Sequence, residues 1–143
     1  MDPRFEQDGV LPQLSSAEEL ARAGAPAAEA GSGELRAKLA NAMVGMKKEY
    51  YGRGPTAAKA WLLDDYVFVA MEGGLTRNEE TLLAAGKADL VRSYRLSFQE
   101  AMAATTMGAV EEITGRRVAT YHSQIVFEPT RAFEIFVLQP QNP

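Results

Sequence analysis

Cysteine is absent from the 143-residue chain, which removes disulfides, thiolate nucleophiles and the cysteine-ligated zinc and iron–sulfur centres. Histidine occurs once, at position 122, so nitrogen and sulfur ligands are too few for a zinc site. No apolar run approaches the roughly 20 residues of a membrane span. The first residues lack the basic run and apolar core of a secretory leader. A soluble, cytoplasmic protein without metal or cofactor is the expectation. Positive charge is also short, with 15 Lys and Arg against 19 Asp and Glu, a net of -4. Up to Gly33 the acids Asp2, Glu6, Asp8, Glu18, Glu19 and Glu29 face only Arg4 and Arg22, so this stretch carries the whole surplus. A balanced domain behind an acidic stretch lacks the basic footprint of a nucleic-acid binder.

What is present suffices for one core, since 46% of the residues are hydrophobic, an ordinary globular content. Residues 1–32 are rich in Ala, Gly, Pro, Ser and Glu and hold too few large apolar side chains to offset ordering entropy. They read as a disordered acidic tail, and residues 33–143 as a single α+β domain.

A first helix is predicted from about Gly33 to Tyr51, with Leu35, Leu39, Ala42, Met43, Met46 and Tyr50 as its inner stripe and Arg36, Lys38, Asn41, Lys47 and Lys48 outside. Gly52 and Pro55 end it. Residues 57–63 and 66–71 then read as a hairpin turning at Asp64-Asp65. A two-residue turn sets Trp61 opposite Phe68 and Leu62 opposite Val67, leaving apolar residues on both sheet faces. One face packs on helices. Homodimerisation through Trp61, Tyr66 and Phe68 is the expected cover for the other.

Thr76-Arg77-Asn78-Glu79 has the form of a capping box that starts a short helix ending at Gly86. One long helix should follow to Thr114, with Leu90, Val91, Tyr94, Phe98, Ala101, Met102, Thr105, Ala109 and Ile113 inside and Arg92, Arg95, Glu100, Glu111 and Glu112 in solvent. After Gly115, residues 118–127 and 132–138 read as a second hairpin. The chain thus repeats helix, Gly-Arg, hairpin, in the order αββ(α)αββ. It predicts a four-stranded, mostly antiparallel sheet packed by a long helix pair.

Chemistry-bearing constellations are few. Gly52-Arg53-Gly54-Pro55 invites comparison with phosphate loops, but it follows a helix C-terminus, where the dipole is negative, and it lacks the Walker lysine and hydroxyl. The guanidinium of Arg53 can hold a carboxylate, bicarbonate or phosphate without a dipole, with Lys48 or Arg116 assisting. His122 reads as an ordinary strand residue and Asp64-Asp65 as a turn. An enzyme would need Glu49 to converge with His122 or Tyr51, and none is expected.

The run Glu49-Tyr50-Tyr51-Gly52-Arg53-Gly54-Pro55-Thr56 resembles the MpsC-like family, formerly a bacterial domain of unknown function. The resemblance continues through Asp64-Asp65, Glu72-Gly73, Leu75-Thr76, Glu79, Leu82, Phe98, Thr114-Gly115-Arg116 and Val137-Leu138. It implies a small non-enzymatic accessory or regulatory protein associated with a membrane system that moves cations or inorganic carbon, with no catalytic residues to carry over. The alternative from the residues themselves is a dimeric anion-sensing module built on Arg53.

Overall fold

The computed structural model describes residues 33–141; the tail expected over residues 1–32 lies outside them. Helix α1 spans Gly33–Tyr51, with Glu34 in its first turn and Lys48 in its last, the charge placement that the helix dipole favours. Gly52, at φ +79°, turns the chain out, its N–H donating to the Lys48 carbonyl at 2.8 Å. Strands β1 (Ala57–Leu63) and β2 (Tyr66–Glu72) follow. They pair antiparallel in the expected register, Trp61 opposite Phe68 and Leu62 opposite Val67. Asp64 adopts a positive φ of 51° at the turn, a conformation that Asp tolerates better than most residues.

The capping box is present. The Thr76 hydroxyl accepts from the Glu79 N–H at 3.2 Å, and the Glu79 carboxylate accepts from the Thr76 N–H at 2.9 Å. It starts α2 (Arg77–Ala84). Thr76→Ala should therefore cost about 1 kcal/mol, read as a lower denaturant midpoint with no change in slope.

The single long helix is instead two, α3 (Ala88–Ala101) and α4 (Ala103–Thr114), interrupted at Met102 with φ -99° and ψ 6°. The Met102 carbonyl accepts both the N–H and the hydroxyl of Thr106, at 3.0 and 3.1 Å, a threonine back-bond that bends helices. Gly115, at φ +70°, closes α4. Strands β3 (Val118–Val126) and β4 (Arg131–Leu138) complete a sheet ordered β1-β2-β4-β3, every neighbouring pair antiparallel.

Strand alternation sorts the sheet into two faces. On the inner face Ala60, Val67, Val69, Met71, Phe136 and Leu138 pack with Leu39 and Met43 of α1 and Val110 of α4. Beside this core, Leu75 and Val91 meet Ile125 of β3. The outer face gathers Trp61, Phe68, Ala70 and Phe133, with Trp61 and Phe68 rings 5.5 Å apart and Phe68 stacked on Phe133 at 6.0 Å.

Three cations expected in solvent are buried: Arg36, Lys47 and Arg95. The line that α1 buries is Arg36, Leu39, Met43, Lys47, a clean helical stripe with a cation at each end. In α3 the buried line is Val91, Arg95, Gln99. Leu90 and Tyr94, placed inside by the sequence reading, are 56% and 49% exposed. The helix is rotated by about one residue, which brings Arg95 onto Glu79.

Candidate functional site

Under α1 the sheet's inner face carries a carboxylate where apolar alternation predicts a hydrocarbon. Glu134 on β4 lies between Val69 of β2 and Ser123 of β3 and is fully buried. The Tyr121 hydroxyl donates to one carboxylate oxygen. The Ser123 hydroxyl donates to the other at 2.5 Å. The Lys47 ammonium reaches down from α1 to 3.7 Å from that second oxygen. At this separation the contact is an ion pair rather than a close hydrogen bond.

A second buried pair adjoins the first. Arg95 grips Glu79 with Nε at 2.6 Å and Nη2 at 2.5 Å, and Nη2 also donates to the Gly74 carbonyl at 3.1 Å. The guanidinium carbon sits 3.7 Å from the centre of the Tyr51 ring, a cation–π stack. Gln99 joins the two pairs, donating to the Tyr51 hydroxyl at 3.3 Å and, through its amide oxygen at 3.0 Å, sharing the one proton that Tyr121 directs at Glu134. Five elements thus converge on two carboxylates, two cations, two phenols, an amide and a hydroxyl. Buried polar networks of this kind fix one packing and are costly to disrupt.

Burial and charge perturb the titrations. Burial, the largest influence, lowers the pKa of Lys47; the charge of Glu134 opposes this and that of Arg95 adds to it. The Tyr51 phenol is pushed up to about 12, chiefly by burial. Tyr121 is raised further, by burial and then by the charge and hydrogen bond of Glu134. Burial pushes Glu79 upward, but hydrogen bonds from Arg95 and Thr76 outweigh it and leave the carboxyl below its usual value. Burial and partners together displace these groups, the signature of a site or of a structural ion-pair network.

Between the two cations lies a cavity of about 20 Å³, lined by Lys47, Gly74, Arg95, Gln99 and Ser123 among others. Its volume suits one water-sized occupant. Gly74 forms a backbone wall: a Cβ there would fall 3.1 Å from the Pro55 nitrogen, and its φ is +87°. Pro55 of the conspicuous sequence run and Gly73-Gly74 after β2 therefore meet at the wall of this polar centre.

Every described helix and strand, together with this centre, falls inside one family match. The family model described as Na+-translocating membrane potential-generating system (MpsC) matches residues 31–140. The chain belongs to the MpsC family. Searches of curated proteins and of solved structures returned no match. None of the described helices is long and apolar enough to cross a membrane, and no described group of acids and histidine is arranged to hold a metal ion.

Of the anion-site candidates of this MpsC-family chain, Arg53 and Arg116 stand apart. Arg53 donates to the Leu75 carbonyl at 3.2 Å and pairs with Glu80 at 3.5 Å, both side chains more than half exposed. Lys48 is exposed on α1, its Cβ near Gly54. Arg116 lies at the other end of the β1–β2 hairpin, bonded to the Asp64 and Gln139 carbonyls, both at 2.9 Å, and to the Asp65 carboxylate at 2.5 Å. Seven residues of β1 separate the two arginines, about 20 Å of strand. Arg116 thus clamps the turn of the first hairpin.

Trp61, Tyr66 and Phe68 do share the outer sheet face. They differ in exposure: Trp61 is 9% exposed and Tyr66 55%, with Phe68 between them. His122 projects from the outer face with Thr120 Oγ1 at 3.1 Å, whereas Glu49 is exposed on α1, which packs on the inner face, so Glu49 and His122 stand on opposite sides of the sheet; Tyr51 bonds Gln99. Lys47, Arg95, Gln99 and Glu134 escaped the sequence reading. The signal available was phase, because each stands on the buried line of its element beside residues that are apolar.

Proposed function

We propose that the chain is a non-enzymatic accessory or regulatory subunit, acting as a homodimer, of a membrane system that translocates cations or inorganic carbon. The family match over residues 31–140 carries this reading. It covers every described element, so the reading applies to the domain as a whole rather than to a grafted motif. The polar centre supports a structural rather than a catalytic use of charge. Its two carboxylates are committed to Lys47 and Arg95, and its two phenols resist ionisation. In this reading the contact with the membrane runs through a partner subunit.

Co-purification tests it. The tagged full chain, expressed at native level and extracted from its own membranes in mild detergent, should carry with it a multi-span cation-transport subunit identifiable by mass spectrometry. Retention of no such subunit under conditions that keep other membrane complexes whole sinks the proposal.

The dimer part of the reading rests on Tyr66 and Leu63, 55% and 44% exposed at the tip of the outer face. Tyr66→Glu should convert the dimer to monomer in light scattering, weakening association at least tenfold with the fold intact. A wild-type chain that is monomeric at high concentration removes the dimer and leaves the partner question standing.

A further inference from the structure

We propose that the cavity between Lys47 and Arg95 is a binding site for a small monovalent anion of halide size, with chloride as the physiological class. Four observations lead there. The cavity's charged lining is wholly cationic: Lys47 and Arg95 stand on its wall, and neither Glu79 nor Glu134 does. The four charges cancel in total, but an occupant sees the near cations before the carboxylates behind them, and Coulomb attraction in a buried setting is weighted to the nearest groups.

The Lys47 side chain is only 5% exposed, and its counter-ion stands at 3.7 Å. An ammonium has three N–H donors. Lys47 therefore has capacity for an acceptor in the adjoining cavity. Gln99, itself buried, contributes an amide nitrogen that has spent one N–H on Tyr51, which leaves a second.

Size then selects the ligand. A volume of about 20 Å³ suits one water-sized occupant, so a single-atom ion fits it better than phosphate, sulfate or a carboxylate. Apolar Met71, Leu96 and Ile125 complete the lining, a setting that suits a weakly hydrated ion better than a strongly hydrated one. Relief of the like-charge opposition between Lys47 and Arg95, which contributes to lowering the Lys47 pKa, adds to the gain. This site is separate from Arg53 and does not depend on any membrane partner.

The test uses the full chain in sodium chloride against sodium gluconate at equal ionic strength, and crystals grown in sodium bromide. A bromide anomalous peak in the cavity is expected, with a saturable rise in melting temperature in chloride over gluconate. Ala132→Val, which narrows the cavity without touching either cation, should abolish the chloride-specific rise, as should Lys47→Met if it folds. A cavity that holds only water in the bromide crystals overturns the proposal. So does a chloride response that Ala132→Val leaves unchanged.

Discussion

Arg95→Met is expected to destabilise the chain by about 3–5 kcal/mol, the usual cost of removing one partner from a buried ion pair. The loss has identifiable parts. Glu79, its side chain 5% exposed, loses both of its short bonds to the guanidinium. The Gly74 carbonyl loses a donor, and Tyr51 loses its cation. The double variant Arg95→Met, Glu79→Gln separates pair from cap, because glutamine also completes a capping box. It should recover most of the loss. The pH dependence supplies the sign. In the wild type the folded pKa of Glu79 lies below 4.5, so its contribution is present above that value and fades as pH falls through the folded pKa. Without Arg95, the main opponent of burial is gone and burial pushes the pKa upward, so the deficit of the variant should shrink on acidification. Urea midpoints for the three proteins at neutral and mildly acidic pH measure both effects. A loss under about 1 kcal/mol would show that Arg95 is a solvated helix residue after all.

The frame of the molecule was legible because each of its signals is local. The Asp64-Asp65 turn set the β1–β2 register, the Thr76–Glu79 spacing set the start of α2, and Gly52 and Gly115 set two helix ends. The break at Met102 was not legible, because nothing in the run Ala101 to Ala104 forbids a helix. The back-bond of Thr106 that accompanies the break appears only in three dimensions.

The polar centre was misread for a different reason. Periodicity sorts residues by type before it sorts them by position, so Lys47 and Arg95 were sent to the solvent side and Gln99 was given no place, although each falls four residues after a buried residue: Met43, Val91 and Arg95 itself. Glu134 stands two residues from Ala132 and from Phe136 on the inner face of β4. A charge in phase with a core stripe is thus a hint of a buried pair, but the partner lies on another element. The separations of Lys47 from Glu134 and of Arg95 from Glu79 could not be deduced from spacing.

The repeated Gly-Arg step also acquires a physical meaning. After each left-handed glycine the arginine folds onto a backbone carbonyl and a nearby carboxylate: Leu75 and Glu80 for Arg53, Asp64 and Asp65 for Arg116. Each ties a helix exit to the next segment of chain. The parallel between the two halves is thus one of construction, and it places the arginines at opposite ends of a hairpin rather than in one site.

Glu134→Gln should produce the second large effect, again about 3–5 kcal/mol at neutral pH, because it leaves the buried Lys47 ammonium without its counter-charge. The amide also accepts through one atom only, so either Tyr121 or Ser123 loses its acceptor. The alkaline behaviour distinguishes the orphaned cation from a general packing loss. Lys47 titrates below 10.5 when folded, and removal of Glu134 takes away the influence that raises it, which lowers it further. Between the folded pKa and 10.5 the unfolded chain binds the proton that the folded chain has released, so stability rises with pH across that window. The deficit of Glu134→Gln relative to wild type should therefore narrow as pH climbs toward 10, with Tyr51, at about 12, still protonated. Adding Lys47→Met removes the orphan and should return part of the loss at neutral pH while abolishing the alkaline recovery. Denaturation midpoints for wild type, single and double variants across this range measure it. A Glu134→Gln deficit that stays constant with pH would assign the loss to the broken hydroxyl contacts and not to the Lys47 charge.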